Sequence, residues 1–487
     1  MNHLPLRRPA AILRQSRPHG LRARIFSQIL ILIVLAGMLR LDLATPALAA
    51  TRLDIVGPAG SGTFGRVTVL ANGNFVVVDA GYDAGATVDV GAIHLYNGAT
   101  GTLIATLTGS TTGDFTSTAV TALSNGNYVV STWQWDQPSP ALADVGAVTW
   151  CSGTSGCTGT ISSSTSLVGS TTNDLVGNFG VITLSNGNYV VRSQDWDQTS
   201  PPTIDVGAAT WCSGTSGCIG TISSSNSLLG SAAGDKVASN GVAALTNGNY
   251  VVSSPFWDQP SPALNSVGAV TWCSGTSGCI GTVSSSNSLL GSSINDRVGV
   301  GGVTALTNGA YVARSTFWTQ VSPSFVPAVG AVTWCNGTSG CVGTVSSSNS
   351  LIGSTSDDNI GTSGVVALTN GNYVVLSTQW DRTSPTIFNA GAVTWCNGAS
   401  GCTGTVSSSN SLVGSTNNDT IGNLAANPLP NGNYVVLSTL WDQTSPPTVN
   451  VGAITWCDGT SGCTGAIAVS YTHLRAHETK ANLVCRL

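Results

Sequence analysis

Apolar residues fall in short runs separated by Gly, Asn, Ser and Pro, a pattern of brief strands and turns rather than of long helices. One stretch shows it in full: "GVAALTNGNYVVSSPFWDQPSPALNSVGAVTWCSGTSGCIGTVSSSNSLLGS". Val242 to Leu245 reads as a first strand, and Asn247-Gly248 as a two-residue type I′ turn with positive φ at both positions. Tyr250 to Ser253 returns as a second strand. A Pro-rich loop follows, then a third strand from Val267 to Cys273, the loop "SGTSG", and a fourth strand from Ile280 to Leu290.

This stretch is one of a series. "NGN" or a near variant starts at Asn72, Asn125, Asn186, Asn247, Asn308, Asn370 and Asn431, with a first step of 53 residues and then steps of 61, 61, 61, 62 and 61. A fixed period of this size marks a repeat architecture. Four short antiparallel strands per unit describe a blade. The expected fold is all-β, a β-propeller of about seven four-stranded blades, with an open β-repeat array as the alternative. "LDIVG", Leu53 to Gly57, matches the end of a fourth strand and is expected to complete the last blade of a ring.

The two ends depart from the repeat. Residues 1–50 carry seven Arg, an apolar run from Ile29 to Leu39 and then "ALAA", the pattern of a cleaved export signal too short to span a bilayer. Residues 469–487, "VSYTHLRAHETKANLVCRL", break both the composition and the repeat and hold the only Glu, Glu478. They resemble a translated sequencing adapter, so the repeat domain is set at 51–468, the tail is set apart as non-native, and the chain is expected to be a fragment.

Between these ends lie twenty Asp, no Glu, six Arg, one Lys and one His, a net charge of −13. That balance disfavours nucleic acid and anionic membrane surfaces. It also leaves little for general acid–base chemistry. His94 sits where the fourth unit has Thr271, a strand position, and the pair Asp195 and Asp197 has no further support as a glycosidase dyad. No catalytic residue, cofactor or metal site is assigned.

Twelve cysteines form six C-x5-C pairs: Cys151 and Cys157, Cys212 and Cys218, Cys273 and Cys279, Cys335 and Cys341, Cys396 and Cys402, Cys457 and Cys463. Each pair brackets the loop between third and fourth strands, so in an exported chain each is expected to close as a disulfide. The first unit has no Cys.

That first unit, "FGRVTVLANGNFVVVDAGYDAGATVDVGAIHLYNGATG", resembles the FG-GAP repeats of integrin-α-type β-propellers. The later units, through "LTNGNYVV", "WD" and "GAVTW", resemble a bacterial repeat of unknown function found in haemagglutinin-like secreted proteins. The resemblance implies a propeller-type fold and no assigned activity. The calcium loop of integrin-type repeats is not carried over, because the turn here is "LTNGNY" or "LSNGNY", without a carboxylate.

Two residue sets recur. One Trp precedes the "WD" Asp (Trp135, Trp196, Trp257, Trp318, Trp380, Trp441) and another ends "TW" (Trp150, Trp211, Trp272, Trp334, Trp395, Trp456). Their recurrence favours packing between units over stacking on sugars. Asp136, Asp197, Asp258, Asp381 and Asp442 follow the first Trp, with Thr319 in the fifth unit. Asp114, Asp174, Asp235, Asp296, Asp358 and Asp419 end the turns between units. Both Asp sets are expected on one rim, as turn-forming residues or as a cation site. The expectation is a secreted or cell-surface, adhesin-like scaffold without a transmembrane anchor, whose partner is an unknown protein or glycan of a cell or matrix surface. The alternative is a lectin-like glycan- or cation-binding module.

Overall fold

The computed structural model describes residues 52–468, and every regular element in it is a β-strand. The export signal assigned to residues 1–50 and the tail 469–487 lie outside the described residues. Seven units follow one another, each centred on one "NGN" hairpin.

The fourth unit shows how the sequence builds a sheet. Its first three strands are Val242–Ala244, Tyr250–Ser254 and Ala269–Cys273, paired antiparallel in that order. Every residue of Tyr250–Ser254 is buried. Both faces of the sheet are covered, so Tyr250, Val251 and Val252 follow one another without a polar residue between them, and the two buried residues that end the strand are small serines.

The hairpin is not the expected type I′ turn. The Gly248 amide donates to the Leu245 carbonyl at 3.1 Å and the Leu245 amide to the Asn249 carbonyl at 2.8 Å. Of Asn247 and Gly248 only Gly248 has a positive φ, +88°. This is a three-residue loop, a type I turn closed by a left-handed glycine. Asn247 stays out of the left-handed region because its Oδ1 accepts the Asn249 amide at 3.1 Å, which turns its Nδ2 outward.

The expected fourth strand, Ile280 to Leu290, is two strands in two different sheets. Ser288–Leu290 pairs antiparallel with the unit's own third strand. Gly281–Thr282 instead runs parallel to Leu228–Leu229 of the third unit and becomes the fifth strand of that sheet. The turn Ser284 to Asn287 separates them, held by the Ser284 amide on Asn287 Oδ1 at 2.9 Å. Each of units two to seven reaches back in this way, so six sheets have five strands and each is stitched to the next unit.

Among the described residues no sheet precedes the first unit, and that unit lacks the segment by which the later units reach back. Its fourth strand, Leu103–Thr108, runs uninterrupted along its third. Tyr96 and Thr106 are 10 positions apart where the matching Cys151 and Ser166 are 15 apart, which accounts for five of the eight residues by which its repeat is short.

Six hydrophobic clusters lie between successive sheets. One joins Leu184, Val190 and Leu228 of the third unit to Val252, Trp257 and Ala269 of the fourth. Among the described residues no strand of the seventh unit pairs with the first, and no sheet closes on itself. Leu53 to Gly57 forms no strand, which corrects the expected closing segment; Leu53 and Val56 are exposed and pair with no sheet.

All six Cys pairs are closed, with Cα–Cα distances of 5.2–5.4 Å. A loop this short contributes about 2 kcal/mol by limiting the unfolded chain. Replacing Cys273 and Cys279 together by Ser should therefore lower the stability measured by denaturant titration by about that amount, with the β-sheet circular dichroism unchanged.

Candidate functional site

The two ends of each sheet do different work. At the "NGN" end the units hold one another. The Gly275 carbonyl of the fourth unit accepts three hydrogen bonds from the third: Asn186 Nδ2 at 2.8 Å, Asn188 Nδ2 at 2.9 Å and Trp211 Nε1 at 2.9 Å. The Gly275 amide donates to Asn249 Oδ1 of its own unit at 3.0 Å. The Cys273–Cys279 disulfide closes the loop that presents this glycine, and a Cβ there would collide with the Gly248 carbonyl.

The same three donors meet Gly214, Gly275 and Gly459 from the units before them. The "SGTSG" loop, featureless in sequence, is thus the socket of the unit junction. The second Trp set is half-buried in these junctions, which fits the packing role expected of it. Trp456 of the last unit, with no described unit after it, is 57% exposed.

The fifth unit breaks the pattern. Ala310 stands where its neighbours have the second Asn, so Gly398 accepts only from Asn308 at 2.7 Å and Trp334 at 2.9 Å. A cavity of about 250 Å³ opens there, lined by Asn308, Ala310, Trp334, Gly337 and Gly398.

At the opposite end lies the rim of "WD" loops. Asp235 is fully buried. Its Oδ2 accepts the Ser231 amide at 2.6 Å and the Ala232 amide at 2.8 Å, and its Oδ1 accepts the Asp258 amide at 2.8 Å. Asp258 Oδ1 in turn accepts the Ser266 amide at 2.6 Å. The two Asp sets therefore do share one rim, as a relay from the inter-unit turn through the "WD" loop to the loop's far end. Both oxygens of Asp235 are taken by N–H donors, the arrangement of a turn-forming carboxylate. Burial pushes Asp174, Asp235, Asp296 and Asp358 above the usual carboxylate range, against the downward pull of these amides. Thr319 replaces the second Asp in the fifth unit and holds Ala328 through Oγ1 at 3.5 Å.

The "WD" loops are small hairpins. In the third unit Gln198–Thr199 pairs with Pro202–Thr203 around a cis Ser200–Pro201 peptide, and all six such loops carry a cis Ser–Pro bond. These loops expose large apolar side chains: Phe325 at 70% on the tip of the fifth unit's loop, and Ile204 at 65%, Phe388 at 59% and Val449 at 75% on the return arm, each next to the residue whose amide the Asp holds. The first Trp set is buried beneath them.

The weighed acid–base candidates are occupied. Asp195 Oδ1 is 3.1 Å from Lys236 Nζ, and Asp197 Oδ1 accepts the Asp205 amide at 2.7 Å. His94 lies on the third strand of the first unit with Nδ1 2.9 Å from Thr106 Oγ1, as Thr271 meets Ser288 at 2.7 Å. Burial lowers its pKa, and Asp79 partly opposes that. Among the described residues no group of three or more His, Cys, Asp or Glu converges as metal ligands would.

A family model for DUF5650, a repeat of unknown function, matches the chain seven times, at residues 69–117, 122–178, 183–239, 244–300, 305–362, 367–423 and 428–471. The chain belongs to the DUF5650 repeat family. Each DUF5650 match coincides with one unit described above. No curated protein matches the sequence. Among solved structures, that of the polysaccharide lyase Uly1 is similar at 11% identity, with 80% of this chain and 90% of that one covered. The TM-score of 0.27 is too low for that likeness to bear on fold or activity.

The DUF5650 junction makes one quantitative prediction. Asn at position 310 reaches into the cavity and restores one bond to the Gly398 carbonyl and one from the Gly337 amide. Each such bond is worth about 1 kcal/mol. Ala310→Asn should raise the thermal midpoint, and an unchanged or lower midpoint would contradict the role given to the second Asn.

Proposed function

We propose that this chain is a secreted or surface-associated scaffold, adhesin-like and non-catalytic, which binds a protein or glycan of a cell or matrix surface through its "WD" rim. The observation that carries this reading is the contrast between the two ends of each sheet. The "SGTSG" loops are consumed by unit junctions, whereas the "WD" loops share a rigid Asp relay and differ in their exposed residues. Variable loops on a fixed frame are where binding resides.

Two observations support the cellular setting. Six disulfides fit an extracellular protein. Among the described residues no helix is long and apolar enough to cross a membrane, which says nothing of strands. The relationship to FG-GAP propellers and haemagglutinin-like proteins belongs to this proposal, supported by the blade-like order of four antiparallel strands. A lectin-like role is the second reading, favoured by a cavity on the same rim where Trp257, Pro260 and Val283 lie beside Ser, Thr and Gln side chains.

Replacing the exposed loop residues Ile204, Phe325, Phe388 and Val449 by Ser should cut attachment to cells or matrix at least tenfold while leaving the thermal midpoint within about 2 °C. Attachment that survives these changes would refute the rim reading.

A further inference from the structure

The rim holds a cavity of about 360 Å³ between the third and fourth units, lined among others by Ser231, Trp257, Gln259, Ser261, Thr282 and Ser284. That volume falls in the range of ligand pockets, roughly 300–1,000 Å³. No charged side chain lines it. Trp257 is only 1% exposed, and its Nε1 has no hydrogen-bond partner. The second unit shows where this N–H points: the matching Trp135 Nε1 donates to Ser110 Oγ at 3.0 Å, the counterpart of the Ser231 that lines the cavity.

A buried indole N–H without an acceptor is destabilising, so it marks a place where an acceptor belongs. The same orphaned N–H recurs at Trp196, Trp318, Trp380 and Trp441. The third and fifth units repeat the full set of six residue types around Trp196 and Trp318. In the sixth unit Arg382 replaces the Gln.

We infer that this junction cavity, and the two junctions that repeat its residues around Trp196 and Trp318, bind a neutral, hydroxyl-rich ligand, a pyranose unit of an uncharged glycan. An anion finds no cation in the lining, a cation finds no carboxylate, and a lipid chain would strand the ring of hydroxyls. A sugar hydroxyl pairs with the Ser231 hydroxyl, toward which the buried Trp257 N–H points, while its neighbours exchange hydrogen bonds with the other Ser and Thr hydroxyls and the Gln side chain. Several copies on one array would engage a repeating polysaccharide at several points, so weak single contacts sum to firm attachment. The inference rests on the reading of the rim as the binding face.

The test is a titration of the full, ¹⁵N-labelled chain with maltohexaose, cellohexaose, mannohexaose and chitohexaose, and with polygalacturonate as an anionic control. The readout is the indole N–H resonances, assigned by Trp→Phe variants. At least one neutral probe should shift Trp196, Trp257 and Trp318 in a saturable way while the Trp211 class stays put. Ser285→Tyr, an exposed position at the mouth of the cavity, should abolish the Trp257 shift and leave those of Trp196 and Trp318. No shift with any neutral probe, a shift with polygalacturonate alone, or a Trp257 shift that survives Ser285→Tyr would each overturn the inference. If the indoles stay unmoved while the rim-loop variants still lose attachment, the cavity assignment fails and the rim reading stands.

Discussion

One backbone carbonyl per junction, that of the glycine in the "SGTSG" or "NGTSG" loop, organises this protein. In four of the six junctions it accepts two Asn amides and one indole N–H from the preceding unit; Gly153 lacks the indole and Gly398 lacks the second Asn. A carbonyl can be approached this closely from one side only if its own residue has no side chain. The three donors must also start from fixed positions, which explains several features together. The "NGN" turn orients its first Asn outward, the second Asn straddles its own unit and the next, and the disulfide holds the acceptor loop rigid. The parallel strand that each unit lends to its predecessor acts in the same direction. Hydrogen bonding and apolar burial thus both run between units, so a single DUF5650 unit would leave its core half-built.

This constraint separates the two ends of the sheets. Where the units grip one another, the loops are uniform because every atom is in use. At the opposite end the Asp relay fixes the base of each loop and leaves its exposed residues free to vary. The fully buried Asp235 carboxylate is tolerated because three amides meet it. Unit junctions and rim loops are therefore built from different residues, and the rim loops can change without disturbing the junctions.

Much of this was legible in the sequence, and the parts that were not share a cause. The period, the strands of the hairpin, the disulfide pairs and the shared rim of the two Asp sets all follow from local pattern and spacing. The turn type did not, because Asn-Gly suits both a type I′ turn and a type I turn closed by a left-handed Gly. What goes with the observed turn is a local bond, the Asn Oδ1 accepting the amide two residues on, and Asn431 keeps it with no described unit after it. The fourth strand was misread for a similar reason: "GTVSSSNSLL" is locally strand-like throughout. Which sheet each half joins depends on a neighbour 61 residues away. The importance of this loop was hidden because it contributes a carbonyl, which no side-chain pattern reports; the available signal was the recurrence of its two Gly and its Ser in all six copies, while the first position varies among Ser, Asn and Asp.

The most direct measurement compares one substitution in two settings. Asn247 and Asn431 occupy the same turn, and each holds the amide two residues on through Oδ1. Asn247 Nδ2 also reaches the Gly337 carbonyl of the next unit at 2.8 Å, whereas no described unit follows Asn431. Denaturant titration of Asn247→Ala and Asn431→Ala should show Asn247→Ala less stable than Asn431→Ala by about 1 kcal/mol, the worth of the cross-unit bond. Equal losses would mean that the asparagine serves only its own turn, and would contradict the account of how the units are joined.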